Sequence, residues 1–436
     1  MIPLALDEIG RLAPGRLERA TGASRITGVT IDSRRVRPGD LFVAVGRGRD
    51  FTADALGNGA AATLVPDDAF GALASLGRAV RERSSARVVA VTGSTGKTST
   101  KDILGALCAP HARTVVAEGS QNNEIGLPLT LCRLEADTEV AIVEMGMRGL
   151  GQIAELCELA RPDVGVITSV GPVHLELLGT VARVAQAKAE VVQSLPPGGT
   201  AVVPAGERAL DAYVTRGDIT VVRFGDGGDV CLAALSARDG SSVLEVEAFG
   251  QPLTLEFSFA GRHNASNALA ALAAYRALAL PLEKAQEGAR SVRLSPWRGE
   301  EAPLPGGGIL INDCYNANPL SMAAALEHLR ERAAARRKVA VLGDMAELGP
   351  DAPAYHREVG EAAARAGVEV LVAVGPLARG YVEGACGIPV TRWSAAVEGG
   401  IGALEELLRP GDCVLVKGSR SMGLEAVADA VAVVAA

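Results

Sequence analysis

The chain has 436 residues, 48% of them apolar and 22% charged, with a formal charge of −8 at pH 7. That length predicts two or three globular domains rather than one core, and the acidic balance excludes a general nucleic-acid binder, which needs a basic face for phosphates. No apolar stretch reaches the roughly 18–20 residues of a membrane span, no basic-then-apolar leader opens the chain, and the seven cysteines form no Cys-x-x-Cys pair, so a cytoplasmic protein with reduced thiols is expected.

In chain order, the first block holds short apolar runs such as Asp40-Leu41-Phe42-Val43-Ala44-Val45. It ends in a polar, Arg-rich stretch, Arg78 to Ser85, which reads as a helical linker, so residues 1–86 are expected to form a small N-terminal α/β domain. The second block, 87–302, opens with the β-rich run Arg87-Val88-Val89-Ala90-Val91, a glycine turn and a helical pattern. Buried-strand runs follow at Val140 to Val143, Val164 to Ile167 and Ala201 to Val203, separated by helix-length patterns at Gly151 to Leu159 and Val181 to Leu195. Alternating strand and helix predict a mainly parallel sheet wrapped by helices. Late in the block the period changes to two: Val243 to Glu247 and Leu253 to Phe257 flank Phe249-Gly250-Gln251-Pro252, an antiparallel hairpin. The apolar run Ala268 to Leu282 is broken by Arg276 and Pro281 and reads as a buried helix. The third block, 303–436, begins at a Pro/Gly run, Pro303 to Gly308, that suits a hinge. It then alternates strands at Ile309 to Ile311, Val339 to Leu342, Val370 to Val374 and Val414 to Val416 with helices, which predicts a small open sheet of Rossmann-like α/β type. The fold class is thus α/β, in three domains.

The strongest chemical signal is Thr92-Gly93-Ser94-Thr95-Gly96-Lys97-Thr98-Ser99, set between a strand and a helix. Glycines let the backbone wrap a phosphate, and amides at a helix N-terminus point at it. In such a loop Lys97 bridges phosphates and the Thr98 hydroxyl binds magnesium. Val91 occupies the place of the first Gly in the longer G-x-x-x-x-G-K-[ST] spacing. Glu144 and His174 each follow a predicted strand, at the carboxyl edge where ligands of such sheets gather. Glu144 is either a solvated strand-end carboxylate or a magnesium ligand; His174 is either structural or a ligand. Lys188, in Ala185-Gln186-Ala187-Lys188-Ala189-Glu190, is either a surface lysine or a buried amine of lowered pKa. A neutral amine can take up carbon dioxide, and the carbamate would be an anionic oxygen ligand for a second metal. In Gly261-Arg262-His263-Asn264-Ala265-Ser266-Asn267 the asparagines either cap the following helix or bond an adenine edge. Asp313-Cys314-Tyr315-Asn316-Ala317-Asn318-Pro319, Gly343-Asp344-Met345-Ala346-Glu347-Leu348-Gly349 and Lys417-Gly418-Ser419-Arg420 also follow strands. Together they predict one lined cleft.

With these motifs in place, the chain resembles the Mur ligases over nearly its whole length. The similarity runs in order through Asp32-Ser33-Arg34, Pro38 to Ala44, Gly93-x-x-Gly96-Lys97-Thr98, Asn122-Asn123-Glu124-Ile125-Gly126-Leu127-Pro128, Glu144-Met145-Gly146, His174-Leu175-Glu176, Lys188 and His263-Asn264-x-x-Asn267. The family's shorter phosphate loop accounts for Val91. Tyr315-Asn316-Ala317-Asn318-Pro319 and Gly343 to Gly349 match the branch that joins D-Ala-D-Ala to UDP-N-acetylmuramoyl-tripeptide.

The resemblance implies ATP bound by Gly93, Ser94, Thr95, Gly96, Lys97, Thr98 and Ser99, with Asn267 at adenine and Arg298 and Asp313 approaching the nucleotide from the domain junction. It implies a first Mg2+ on Thr98 and Glu144, a second on His174 and a carbamoylated Lys188, and catalytic roles for Lys97, His174 and Lys188. Substrate contacts are expected from Asp32, Ser33, Arg34, Asn122, Asn123, Asn316 and Asn318, with the UDP end on the N-terminal block. The third block would close over ATP and help hold D-Ala-D-Ala. The expected reaction is amide ligation in peptidoglycan-precursor synthesis through an acyl phosphate, with ADP and phosphate released, by a monomer. Two departures stand out: the shortened Arg47-Gly48-Arg49-Asp50-Phe51 after Gly46, and Ser120 where the family has Asn. The alternatives are a related ligase adding another amino acid or glutamate, and a P-loop ATPase that does not ligate.

Overall fold

The computed structural model describes residues 1–238, 241–259 and 261–434. Its largest sheet has nine strands, ordered Gln251–Phe257, Ser241–Ala248, Val230–Arg238, Thr220–Phe224, Thr200–Pro204, Val164–Ile167, Arg87–Thr92, Val140–Glu144 and Thr114–Val116. Seven of these run parallel to their neighbours, from Val230–Arg238 to Thr114–Val116, and the last two pairings in space are antiparallel. The inner parallel strands are apolar on both faces over most of their length, because helices cover both. Successive side chains of Arg87–Thr92 alternate between them: Val88 and Ala90 join the core under the helices Ala69–Arg81, Gln152–Ala160 and Val181–Gln193, while Val89 and Val91 join the core under Lys97–Cys108 and Arg262–Ala277. The expected hairpin is present, turning at Phe249 and Gly250, whose φ of 53° and 75° are the paired positive values of a two-residue I′-type turn. The run around Ala268 is the buried helix Arg262–Ala277, as its composition implied.

A second sheet of six strands orders Glu300–Leu304, Gly308–Asn312, Cys413–Lys417, Lys338–Gly343, Val370–Val374 and Val390–Ser394, all parallel except the first pair. A four-stranded sheet, Gly15–Arg19, Ala62–Pro66, Asp40–Val43 and Gly28–Thr30, lies at the N-terminal end.

Two expectations need correction. The helix expected over 78–85 ends at Arg81: residues 78–81 are the last turn of Ala69–Arg81, which buries Leu73, Leu76 and Val80 against the central sheet, and Arg81 Nε donates to Ala160 O at 2.8 Å. The run 303–308 is not a loose hinge. Its residues close the antiparallel hairpin Glu300–Leu304 with Gly308–Asn312, and a Cβ on Gly306 would lie 2.6 Å from Pro410. The sheet therefore starts at Glu300. The connection into it runs through residues 290–299, where Trp297 and Gly299 carry positive φ of 61° and 73°.

No described helix is long and apolar enough to cross a membrane. Among the described residues all seven cysteines are unpaired, and Cys108, Cys132, Cys157, Cys314 and Cys413 are buried.

Candidate active site

A parallel strand delivers the chain to one edge of its sheet, so the loops after Arg87–Thr92, Val140–Glu144 and Val164–Ile167 meet there. The first is the phosphate loop. Gly96 caps the helix Lys97–Cys108 with φ of 80°, and a Cβ there would lie 2.2 Å from Asn267 Oδ1, so both backbone and space demand glycine. Lys97 Nζ donates to Gly93 O at 2.8 Å, curling over the loop. Desolvation lowers the Lys97 pKa, with Glu144 opposing and Arg298 reinforcing the shift. The loop is braced from below: Thr95 N–H donates to Ser169 Oγ at 2.9 Å, and Gly171 N–H to Ser94 Oγ at 2.9 Å.

Glu144 is 1% exposed and is no solvated strand end. Its two oxygens accept from the Thr98 hydroxyl and the Asn122 amide, each at 2.8 Å. A hydroxyl and a buried carboxylate side by side form a hard-oxygen pair that suits Mg2+. Lys188 is likewise buried, at 2% exposure, among alanines of the helix Val181–Gln193. It makes no hydrogen bond or ion pair among the described residues. Desolvation first, and then the Lys97 charge, hold its pKa well below the usual lysine value. An unpartnered neutral amine is the form that reacts with carbon dioxide. The described residues hold no cluster of three or more His, Cys, Asp or Glu for a metal. The Thr98 and Glu144 oxygens fit an ion completed by phosphate and water.

His174 has φ of 53° at the start of the short helix Leu175–Leu178, and its Nδ1 meets Glu347 of the six-stranded sheet. Glu347 is also left-handed, with φ of 62°. Burial lowers the His174 pKa, with Glu347 opposing. Arg148, after Glu144-Met145-Gly146, reaches Glu347 Oε1 at 3.4 Å.

The asparagines of the helix Arg262–Ala277 do not cap it. Gly261 occupies that place, and Asn264 and Asn267 lie buried in its first turns. Asn267 Nδ2 donates to Asn264 Oδ1 at 3.2 Å, and its Oδ1 accepts from Thr100 at 3.4 Å. Asn123 Oδ1 accepts from the amides of Ile125 and Gly126 just before the helix Gly126–Leu131.

The opposite wall comes from the six-stranded sheet. Asn318 makes a capping box with Ser321 on the helix Pro319–Ala333 and also donates to Ser94 O at 3.4 Å, across the cleft. Lys417 Nζ holds Asp313 Oδ2 at 2.6 Å and Asn316 O at 2.9 Å. Arg298 stacks on Tyr315 at 4.1 Å and donates to Ser120 Oγ at 3.0 Å, so the serine at this departure from the family pattern has a partner. The two walls enclose a cleft of about 870 Å³ that Lys97, Glu144, His174, Lys188, Asn267, Arg298, Asp313, Asn316 and Asn318 all line.

Asp32, Ser33 and Arg34 do not join this cleft. Asp32 caps the short 3-10 turn Ser33–Arg35, and its bonds to Arg34 lower its pKa to about 2. The shortened segment after Gly46 is a 3-10 turn, Gly46–Phe51, leading into the helix Thr52–Gly57. Sequence reasoning gave no role to Glu347, Arg148 or the half-buried His263. Glu347 lay inside a quoted motif, but its left-handed backbone has no signature in the sequence.

Residues 91–275 match the family described as the Mur ligase middle domain, and residues 298–420 match the Mur ligase, glutamate ligase domain. The chain is 34% identical to the UDP-N-acetylmuramoyl-tripeptide–D-alanyl-D-alanine ligase of Escherichia coli (strain K12), over 98% of each chain. A crystal structure of MurF from Acinetobacter baumannii superposes with a TM-score of 0.86 at 28% identity, covering 98% of this chain and 99% of that one. MurF from Thermotoga maritima in complex with ADP superposes at 0.79 with 30% identity, covering 93% and 96%.

Proposed function

The chain belongs to the Mur ligase family, and from that premise we propose that it joins D-Ala-D-Ala to UDP-N-acetylmuramoyl-tripeptide, using ATP, in peptidoglycan-precursor synthesis. The observation that carries this reading is one cleft with the phosphate loop on one wall and the Tyr315-Asn316-Ala317-Asn318-Pro319 motif on the other.

A carboxylate is a poor electrophile, so the γ-phosphoryl group of ATP first passes to a carboxylate oxygen of the tripeptide, and ADP leaves. Lys97 exchanges its bond to Gly93 O for the phosphate oxygens and neutralises charge there. The dipeptide amine then attacks the acyl carbon. The carbon–oxygen bond to phosphate breaks, inorganic phosphate departs and the amine loses a proton. Water would destroy the acyl phosphate, which gives a reason for the second wall to close through the connection at residues 290–299.

Thr98 and Glu144 are the residues to hold a first Mg2+, and His174 with a carbamoylated Lys188 a second; when bound, such ions neutralise charge on the transferred phosphoryl oxygens. Asn267, Arg298 and Asp313 are assigned to the nucleotide, and Asn122, Asn123, Asn316 and Asn318 to the peptide substrates. We assign the UDP end to the N-terminal block, 1–86, through Asp32, Ser33 and Arg34. We assign ATP binding to residues 87–299 and closure to residues 300–436, because the strand Glu300–Leu304 pairs into the second sheet. The enzyme works as a cytoplasmic monomer.

Supplying alternative amines tests the choice of substrate. D-Ala-D-Ala should support turnover with the UDP-tripeptide, whereas glutamate or a single amino acid should not. Equal turnover with a single amino acid would move the chain to another branch of the family.

A further inference from the structure

Two residues with left-handed backbone, His174 and Glu347, face each other across the cleft and join side chain to side chain. Non-glycine residues adopt that conformation at a cost and keep it where the surroundings impose it. The backbones beside them touch as well. Glu176 N–H donates to Glu347 O at 3.3 Å, and a Cβ on Gly349 would lie 3.3 Å from Glu176 Cα. The segment bearing Glu347 is itself fixed to its own sheet. Met345 N–H donates to the buried His356 Nε2 at 3.0 Å, Ala346 N–H to Ser419 Oγ at 2.9 Å, and Leu348 is buried. Glu347 therefore moves as part of the closing wall, while His174 belongs to the phosphate wall.

An ionised carboxylate can only accept a hydrogen bond, so the contact with Glu347 requires the proton of a neutral imidazole to sit on Nδ1. That leaves Nε2 as an unprotonated donor atom for the cleft, where Lys188 also lies. We propose that Glu347 is a positioning residue which sets the tautomer and ring orientation of His174, so that closing the cleft and completing the His174–Lys188 pair are one event. The inference rests on the ligase reading for its consequence, but not for its geometry. The pairing of a carboxylate with the far nitrogen of a metal-binding imidazole is a general device, and its loss commonly lowers metal affinity or activity about 10–100-fold.

The chain has five histidines, so 15N NMR of the imidazoles, with His174→Gln as the assignment control, reads the ring directly. It needs neither substrate nor turnover. The wild-type protein should show the Nδ1–H tautomer at His174. Glu347→Ala should lose that preference and lower kcat about 10–100-fold, with the KM for ATP within about threefold and the melting temperature unchanged, because the loss is not one of uniform binding. Glu347→Gln, whose carbonyl still accepts from Nδ1, should restore the tautomer and most of kcat. Both side chains are about one-third exposed, so neither variant threatens the core. The proposal is overturned if Glu347→Ala keeps the tautomer and kcat, or if Glu347→Gln restores the tautomer without restoring kcat. A fall in melting temperature that tracks the loss in kcat would also overturn it. A wild-type protein that shows the tautomer but never ligates would instead count against the ligase reading.

Discussion

Desolvation lowers the pKa of both Lys188 and His263, and each shift leaves a measurable trace on stability. The Lys188 pKa is depressed, so below its ordinary value the unfolded chain binds a proton that the folded chain refuses. Stability is therefore reduced at neutral pH and recovers as pH rises toward 10.5. Lys188→Met should melt higher than the wild type at pH 7, by about 1 kcal/mol or more, with the gap closing at alkaline pH, while ligation is lost. Removal of carbon dioxide should slow the wild-type enzyme and added bicarbonate should restore it; an indifferent rate would remove the carbamate from the account. His263 is pushed down to about 4 by burial, with Asp313 opposing and His328 and Lys417 reinforcing. The unfolded chain takes up its proton near 6.5 and the folded chain only near 4, so stability falls as pH drops through that window. The loss should approach roughly 2–4 kcal/mol by the lower end, and His263→Gln should remove that part of the acid dependence in thermal melts. Neither trace was legible beforehand. Lys188 could be read as surface or buried, because the alanines around it fit both, and burial is a tertiary fact.

At the scale of elements, the phosphate loop was legible because its requirements are local. Gly96 must turn left-handed and must admit Asn267, and glycine alone meets both conditions. Gly96→Ala should cost about 1–2 kcal/mol of stability from the backbone alone. It should also weaken ATP binding at least about tenfold, since a displaced loop no longer cradles phosphate; calorimetric titration that finds unchanged affinity would refute this account of the turn. The alternation of strand and helix and the period-two hairpin were equally readable, since each is a repeat within one element. What misled was punctuation. Pro303 to Gly308 has the composition of a hinge, yet the same residues turn a hairpin when a partner strand lies on either side. The Arg-rich end of Ala69–Arg81 hid the extent of that helix, because Leu73 and Leu76 of its buried face precede the charges and Val80 sits between Arg78 and Arg81.

At the scale of the whole molecule, the site exists only where two sheets meet. Glu144 and Lys97 come from one sheet, and Asp313, Lys417 and Asn318 from the other. The sequence motifs announced both sets, but the pairing of His174 with Glu347, 173 positions apart, belongs to the assembly alone. Asn318 reaches Ser94 O, and Leu320 packs so near Gly171 that a Cβ there would lie 2.2 Å from it. The closing wall thus rests on the phosphate loop. Ligands that span the cleft should hold the walls together: ATP at a hundred times its Kd should add about 2.7 kcal/mol to unfolding, and Asn318→Ala should lower that gain.

The central claim is that nucleotide chemistry in this cleft is tied to amide formation. Phosphate release from ATP should therefore be measured with UDP-N-acetylmuramoyl-tripeptide, with and without D-Ala-D-Ala, alongside the mass of the product. The account predicts sustained release only when both are present, a product heavier by the dipeptide less one water, and near-complete loss of both signals in Lys97→Ala. Sustained release that ignores both substrates, with no heavier product, would contradict it and leave an ATPase.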